Sequence, residues 1–278
     1  MPPPASTRAL LRGLVLACHP LPTVAVTAFA TAFAAAVGLP AGQVGLVALA
    51  VLLGQLSIGW CNDWVDAPRD VAAGRRDKPV ATGLVPARVL ALAAAAALVT
   101  CAAASLTLGV RAALAHALTV LGGWTYDLWL KPTAASFVPY AVAFGALPAV
   151  ATLAAATPRL PEPGVIAGGA LLGLAAHFTN TVGDTEADAA TGVRGLPQRL
   201  GTAVSLRLSA VLVVLAAVAL LTAARGAGAV PLAVLVAGAL VGAAGVVLGG
   251  DLSARGRLAF RLTLGAVALV IAGFLLSA

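Results

Sequence analysis

The chain has 278 residues, 61% of them hydrophobic and only 10% charged, with 17 Lys and Arg against 10 Asp and Glu for a net charge of +7. A typical soluble domain is about 45–50% apolar and about 25% charged, so this composition, at a mean hydropathy of +1.02, excludes a soluble globular fold and predicts an all-α integral membrane protein. In a soluble chain the positive balance would point to nucleic acid; here it reports membrane topology, and no nucleic-acid partner is expected.

Apolar stretches of about 20 residues, long enough to cross a bilayer, recur along the chain with short polar linkers. They predict nine spans in a single polytopic membrane domain, 1–278: 16–38, 42–61, 87–108, 112–130, 134–155, 163–182, 204–224, 229–249 and 257–277. The first contains Pro20 and Pro22 and lacks a small-residue cleavage site, which argues against a removed signal peptide. Fourteen basic residues, from Arg8 and Arg12 to Arg257 and Arg261, fall on one side of this arrangement, and three, Arg111, Arg159 and Arg225, on the other. The asymmetry places the N-terminus and the loops on its side in the cytoplasm. Cys18, Cys61 and Cys101 are scattered through the spans without paired spacing, so neither a disulfide framework nor a zinc site is expected.

The second span runs into "NDWVDAPRD" (62–70), where three acids fall within eight positions. Asn62, Asp66 and Asp70 stand at i, i+4 and i+8, a spacing that drifts by only about 40° per step on a helix and makes one polar stripe. Pro68 removes a backbone hydrogen bond inside the stripe and is expected to kink or end the helix; Gly74 is the expected stop. The fourth span closes with "WTYDLWLKP" (124–132), which brings Tyr126 and Lys131 to the same face. After the sixth span comes "NTVGDTEADAATGVRGLPQRLG" (180–201).

That last segment superposes on 62–83 at an offset of 118 residues. Seven positions agree: Asn62 with Asn180, Asp66 with Asp184, Asp70 with Asp188, Gly74 with Gly192, Arg76 with Arg194, Pro79 with Pro197, and Gly83 with Gly201. The offset spans four helices, an even number, so the two copies run parallel, about 16–130 and 134–249, with an extra C-terminal helix at about 257–277. A parallel repeat places a site at its interface. Carboxylates converging at a low-dielectric boundary repel unless a cation is shared among them. Mg2+ suits them, because it takes oxygen ligands and is held by a few carboxylates together with substrate phosphates. Asn62, Asp66, Asp70, Asp184 and Asp188 are the candidate ligands. Arg69, Arg75, Arg76, Lys78, Arg194, Arg199 and Lys131 around them fit a polyphosphate better than a bare ion. Trp60, Trp124 and Phe144 offer ring faces to a carbocation.

These motifs resemble the UbiA superfamily of intramembrane prenyltransferases, marked by N-x3-D-x3-D after the second helix and D-x3-D after the sixth. The first stands as Asn62, Asp66 and Asp70, the second as Asp184 and Asp188; "LPQRLG" is similar to the family's L-P-x-R-L-G, and "YDLWLKP" to its Tyr-x4-Lys element. The resemblance implies nine transmembrane helices around a central cavity, two Mg2+ ions bridging the acids to an isoprenyl diphosphate, and roles for Tyr126 and Lys131 in catalysis and for Asn180 in substrate binding. It further implies a small, aromatic acceptor, with the prenyl tail lying among membrane lipids. His19 stands where many members carry a basic residue before Pro. Three other functions remain open: a terpene cyclase, a phosphoribosyltransferase acting on a polyprenyl phosphate, and a membrane transporter.

Overall fold

A computed structural model describes residues 6–180, 192–224, 228–248 and 254–277, all in helices and the turns between them, with no strand among them. Asp184 and Asp188 lie outside the described residues. The helices are α1 (Thr7–Ala17), α2 (Pro20–Ala36), α3 (Ala41–Ala72), α4 (Ala87–Thr107), α5 (Val110–Thr125), α6 (Val138–Ala154), α7 (Pro163–Asn180), α8 (Leu196–Leu200), α9 (Thr202–Ala223), α10 (Ala229–Leu248) and α11 (Ala254–Ser277). A π-helical turn, Tyr126–Leu130, extends α5.

Each of the nine predicted intervals overlaps a helix. Among the described residues, however, only α3, α4 and α9 are long and apolar enough to count as spans by themselves, and the α1–α2 pair makes a fourth if taken as one span bent by 63°. Part of the difference has a local cause. The first interval is broken at Cys18 and His19, and the fourth spends its last residues on the π turn.

Neighbours in the chain are neighbours in space. Contacts run from α2 to α3 and on through α4, α5, α6, α7, α9, α10 and α11, and α11 returns to α2 to close the ring. Phe274 stacks on Phe33 at that junction, with ring centroids 5.4 Å apart. Helix faces rich in Ala and Gly let backbones approach, and short polar side chains tie them, as membrane helices require. Thr119 Oγ1 donates to Ala143 O across α5 and α6 (3.1 Å), and Ser209 Oγ donates to Ala175 O across α9 and α7 (3.0 Å).

α3 departs from expectation at its C-terminal end. It continues through Pro68 to Ala72, well beyond the apolar stretch. Pro68 sits on the exposed side of the helix, where water can take up the carbonyl it leaves unpaired, so the break expected there does not occur. The helix ends instead at Gly74, as expected. With φ +62, Gly74 donates its N–H to Val71 O (3.2 Å) and Arg75 donates to Asp70 O (3.0 Å), the two bonds of a Schellman motif. Gly83, Gly192 and Gly201, the other glycines at the seven matched positions, also have positive φ, so Gly74 shares its backbone hand with Gly192, and Gly83 with Gly201.

Candidate functional site

A cavity of ≈ 410 Å³ lies between α2, α3, α5, α6 and the end of α7. Its polar end is built by α3. Asn62, Asp66 and Asp70 line it as one stripe, with Asp66 and Asp70 buried. Both Asp66 oxygens are held by bases from different directions: Arg69 one turn along α3, and Lys131 at the end of the π turn. Asp70 Oδ2 is buried without a hydrogen-bond partner among the described residues.

The loop after α3, held by the Schellman turn, carries Arg75 and Lys78 into the lining. Lys78 Nζ donates to Asp63 Oδ1 (2.7 Å), which also pairs with His19 Nε2 (3.0 Å). Asp63 itself stands behind the wall, 1% exposed. His19 reaches the cavity from the elbow between α1 and α2, with φ +53, a left-handed conformation uncommon for a residue with a side chain. The elbow lies directly on α3, since a Cβ on Gly59 would come 2.5 Å from Cys18 O. Arg75 grips Asp77 with two hydrogen bonds, from Nε (2.9 Å) and Nη2 (2.7 Å). Those bonds push the Asp77 carboxyl down to about 2. A depressed carboxyl adds stability above its ordinary range and loses it as pH falls through about 2, so this clasp persists at neutral pH.

The π turn forms the opposite wall. Lys131 N donates to Tyr126 O (2.9 Å), the i to i+5 bond that defines such a turn. It directs Tyr126, Asp127 and Lys131 to the cavity together. Asn62 Nδ2 donates to Asp127 Oδ1 (2.8 Å). The apolar end carries an aromatic wall: Tyr126 meets Tyr140 edge-on at 5.1 Å, and Tyr140 stacks with Phe144 at 6.3 Å.

Of the residues expected from sequence, His19, Asn62, Asp66, Arg69, Asp70, Lys78, Tyr126, Lys131, Phe144 and Asn180 are thus brought to one cavity. Asn62 and Asn180, equivalent in the repeat, both line it. Others are placed elsewhere. Trp60 turns its indole N–H to Leu14 O (2.8 Å), Trp124 donates to Ser57 Oγ (3.2 Å), Arg76 is exposed on the loop, and Arg194 O accepts a bond from Arg199 Nε (2.7 Å). Arg75, also expected among the bases around the stripe, lines the cavity too, whereas the sequence reading missed Asp63, Asp127 and Tyr140 as site residues. Tyr140 had a signal, four residues before Phe144 on one helix face. Asp127 had one too, inside the singled-out "WTYDLWLKP".

Oxygen donors dominate the polar end, and the unpartnered Asp70 Oδ2 is the kind of group that a hard cation satisfies. Among the described residues no group of three or more His, Cys, Asp or Glu stands close enough to hold a metal. The described donors Asn62, Asp66 and Asp70 fit Mg2+ as one half of a ligand set.

The UbiA prenyltransferase family model matches residues 23–265. Among curated proteins none matches the chain. Several solved structures share the fold. A UbiA homolog from Aeropyrum pernix K1 is 20% identical, with a TM-score of 0.72 over 90% of this chain and 96% of that one. A Digeranylgeranylglyceryl phosphate synthase is 16% identical, with a TM-score of 0.70 over 96% and 97%. A UbiA homolog from Archaeoglobus fulgidus bound to DMAPP and Mg2+ is 18% identical, with a TM-score of 0.67 over 94% and 97%.

Proposed function

The chain belongs to the UbiA prenyltransferase family, and on that premise we propose that it transfers a prenyl group from an isoprenyl diphosphate to a small aromatic acceptor inside the membrane. The observation that carries the proposal is Asp66, a buried carboxylate held by Arg69 and by Lys131 from another element, in a cavity whose far end is aromatic. The structural relative from Archaeoglobus fulgidus bound to DMAPP and Mg2+, and also to GPP and Mg2+, supports the choice of donor.

Asn62, Asp66 and Asp70, joined by Asp184 and Asp188 of the second motif, would hold Mg2+, which would supply positive charge to the departing diphosphate. Lys78, Arg69 and Lys131 bind the phosphate oxygens and stabilise the negative charge that grows as the C–O bond breaks. His19 and Asn180 complete the polar end. The ring faces of Tyr126, Tyr140 and Phe144 stabilise the allylic cation, and the apolar wall keeps water from it. A carbon of the acceptor then attacks C1 of the prenyl group and releases a proton. The basic asymmetry of the sequence sets the polar end toward the cytoplasm.

The test is product mass. Purified protein is given prenyl diphosphates of defined length and Mg2+, with and without an aromatic acceptor. A prenylated acceptor and free diphosphate are expected, abolished by EDTA and restored by Mg2+. Full turnover in chelator would remove the metal from the proposal. A cyclised product without acceptor would replace transfer by cyclase chemistry, and no diphosphate release would restore the transporter.

A further inference from the structure

We propose that Asp127 is a positioning residue: it fixes the side-chain amide of Asn62 so that the oxygen, and not the nitrogen, is turned to the cavity and to a divalent cation. The inference rests on reading the cavity as a site for a cation and a diphosphate. Asp127 is 5% exposed and lies 65 residues from Asn62 in the chain. Asn62 Nδ2 donates to its Oδ1 at 2.8 Å, while its Oδ2 has no hydrogen-bond partner among the described residues.

A buried acid is an expensive way to satisfy one amide N–H, since a neutral acceptor would serve at a lower desolvation cost. What a carboxylate adds is exclusivity. Asp127 Oδ1 accepts the bond that Asn62 Nδ2 donates, and a carboxylate oxygen that bears no proton can only accept, so it tolerates only the amide's nitrogen side. Asn62 then has one orientation, with its acceptor half left for the cavity that its side chain lines. An amide at 127 would accept either orientation of Asn62, and an alkyl group would accept neither preferentially. The π turn is part of the device, because the widened backbone that carries Asp127 also carries Lys131, the partner of Asp66. One turn therefore sets both an orienting acid and a base opposite the same stripe of α3. Second-layer groups of this kind typically change metal affinity by about 10–100-fold when removed.

The experiment uses purified full-length protein stripped with EDTA and titrated with Mn2+, followed by electron paramagnetic resonance, in the presence of a non-ionising prenyl thiolodiphosphate. Thermal unfolding of each variant is recorded alongside. The isosteric Asp127→Asn is expected to weaken Mn2+ by about tenfold, and Asp127→Leu more, within the range of about 10–100-fold. In the Asn62→Ala background, which has no amide to orient, Asp127→Asn is expected to change Mn2+ affinity by less than about twofold. Asp127→Asn that unfolds and binds Mn2+ as the wild type does would overturn the proposal. So would Asp127→Asn that weakens Mn2+ as much in the Asn62→Ala background as in the wild type, because an orienting acid has nothing to act on once the amide is gone. A wild-type protein that releases diphosphate from a prenyl diphosphate but binds no Mn2+ would overturn the orienting role while leaving prenyl transfer standing.

Discussion

Lys78 and Lys131 face the acidic stripe from opposite walls, and each is already engaged by a buried acid, Asp63 for one and Asp66 for the other. A phosphate arriving between them meets two pre-aimed ammonium groups. Lys78→Ala and Lys131→Ala are therefore expected to raise KM for the prenyl diphosphate or lower kcat by roughly 1.5–3 kcal/mol each, the usual worth of a charged hydrogen bond. Arg76→Ala, at an exposed position outside the lining, is expected to change turnover by only a few-fold. Steady-state kinetics of the three variants decide it; equal losses at Arg76 and Lys131 would mean that the loop closes over the substrate. The stripe of Asn62, Asp66 and Asp70 was legible because helical spacing fixes which residues share a face. The same rule puts Asp63 on one face with Asp66 and Asp70, at i, i+3 and i+7, so its inward turn was open to the sequence; its partner was not, a lysine 15 residues later beyond the end of the helix.

The elements that matter most are the irregular ones. The α1–α2 elbow, the Schellman turn after α3 and the π turn after α5 each place a polar side chain that a straight helix would direct elsewhere. Glycine and aspartate spacing disclosed the Schellman turn. The elbow was not legible, because its cause is tertiary: Cys18 O rests on Gly59 of α3, and the Trp60 indole pins α1 through Leu14 O. Gly59→Ala puts a methyl group 2.5 Å from that carbonyl oxygen and forces backbone to shift. It is expected to destabilise the protein by about 1–3 kcal/mol, the usual cost of overpacking, and to weaken the His19–Asp63 pair. Thermal unfolding in detergent reports the first effect. A melting temperature equal to wild type would show that the elbow yields freely.

At the scale of the whole molecule, composition alone made the all-α membrane class legible, and the spacing of Asn62, Asp66 and Asp70 gave the stripe that lines the cavity. Its boundaries were less legible, because apolar windows do not register a bend at His19 or a helix that outruns its apolar stretch to Ala72. The orientation rests on the basic asymmetry and is testable. Cys18, Cys61 and Cys101 are all free and buried, so replacing them should leave a quiet background for single-cysteine labelling. Asp77→Cys is expected to react with an impermeant thiol reagent only after the cytoplasmic side is opened, and Thr157→Cys in intact cells. The reverse pattern would invert the topology.

The ring of helices also has a history within each round of synthesis. Its seam joins α2, near the start of the chain, to α11, the last helix described. Roughly 200 residues separate the end of α2 from the start of α11, and at about 5–20 residues per second the ribosome takes about 10–40 s to add them. Through that interval the Phe33 face of α2 waits for Phe274, so the ring of helices can close only as translation ends.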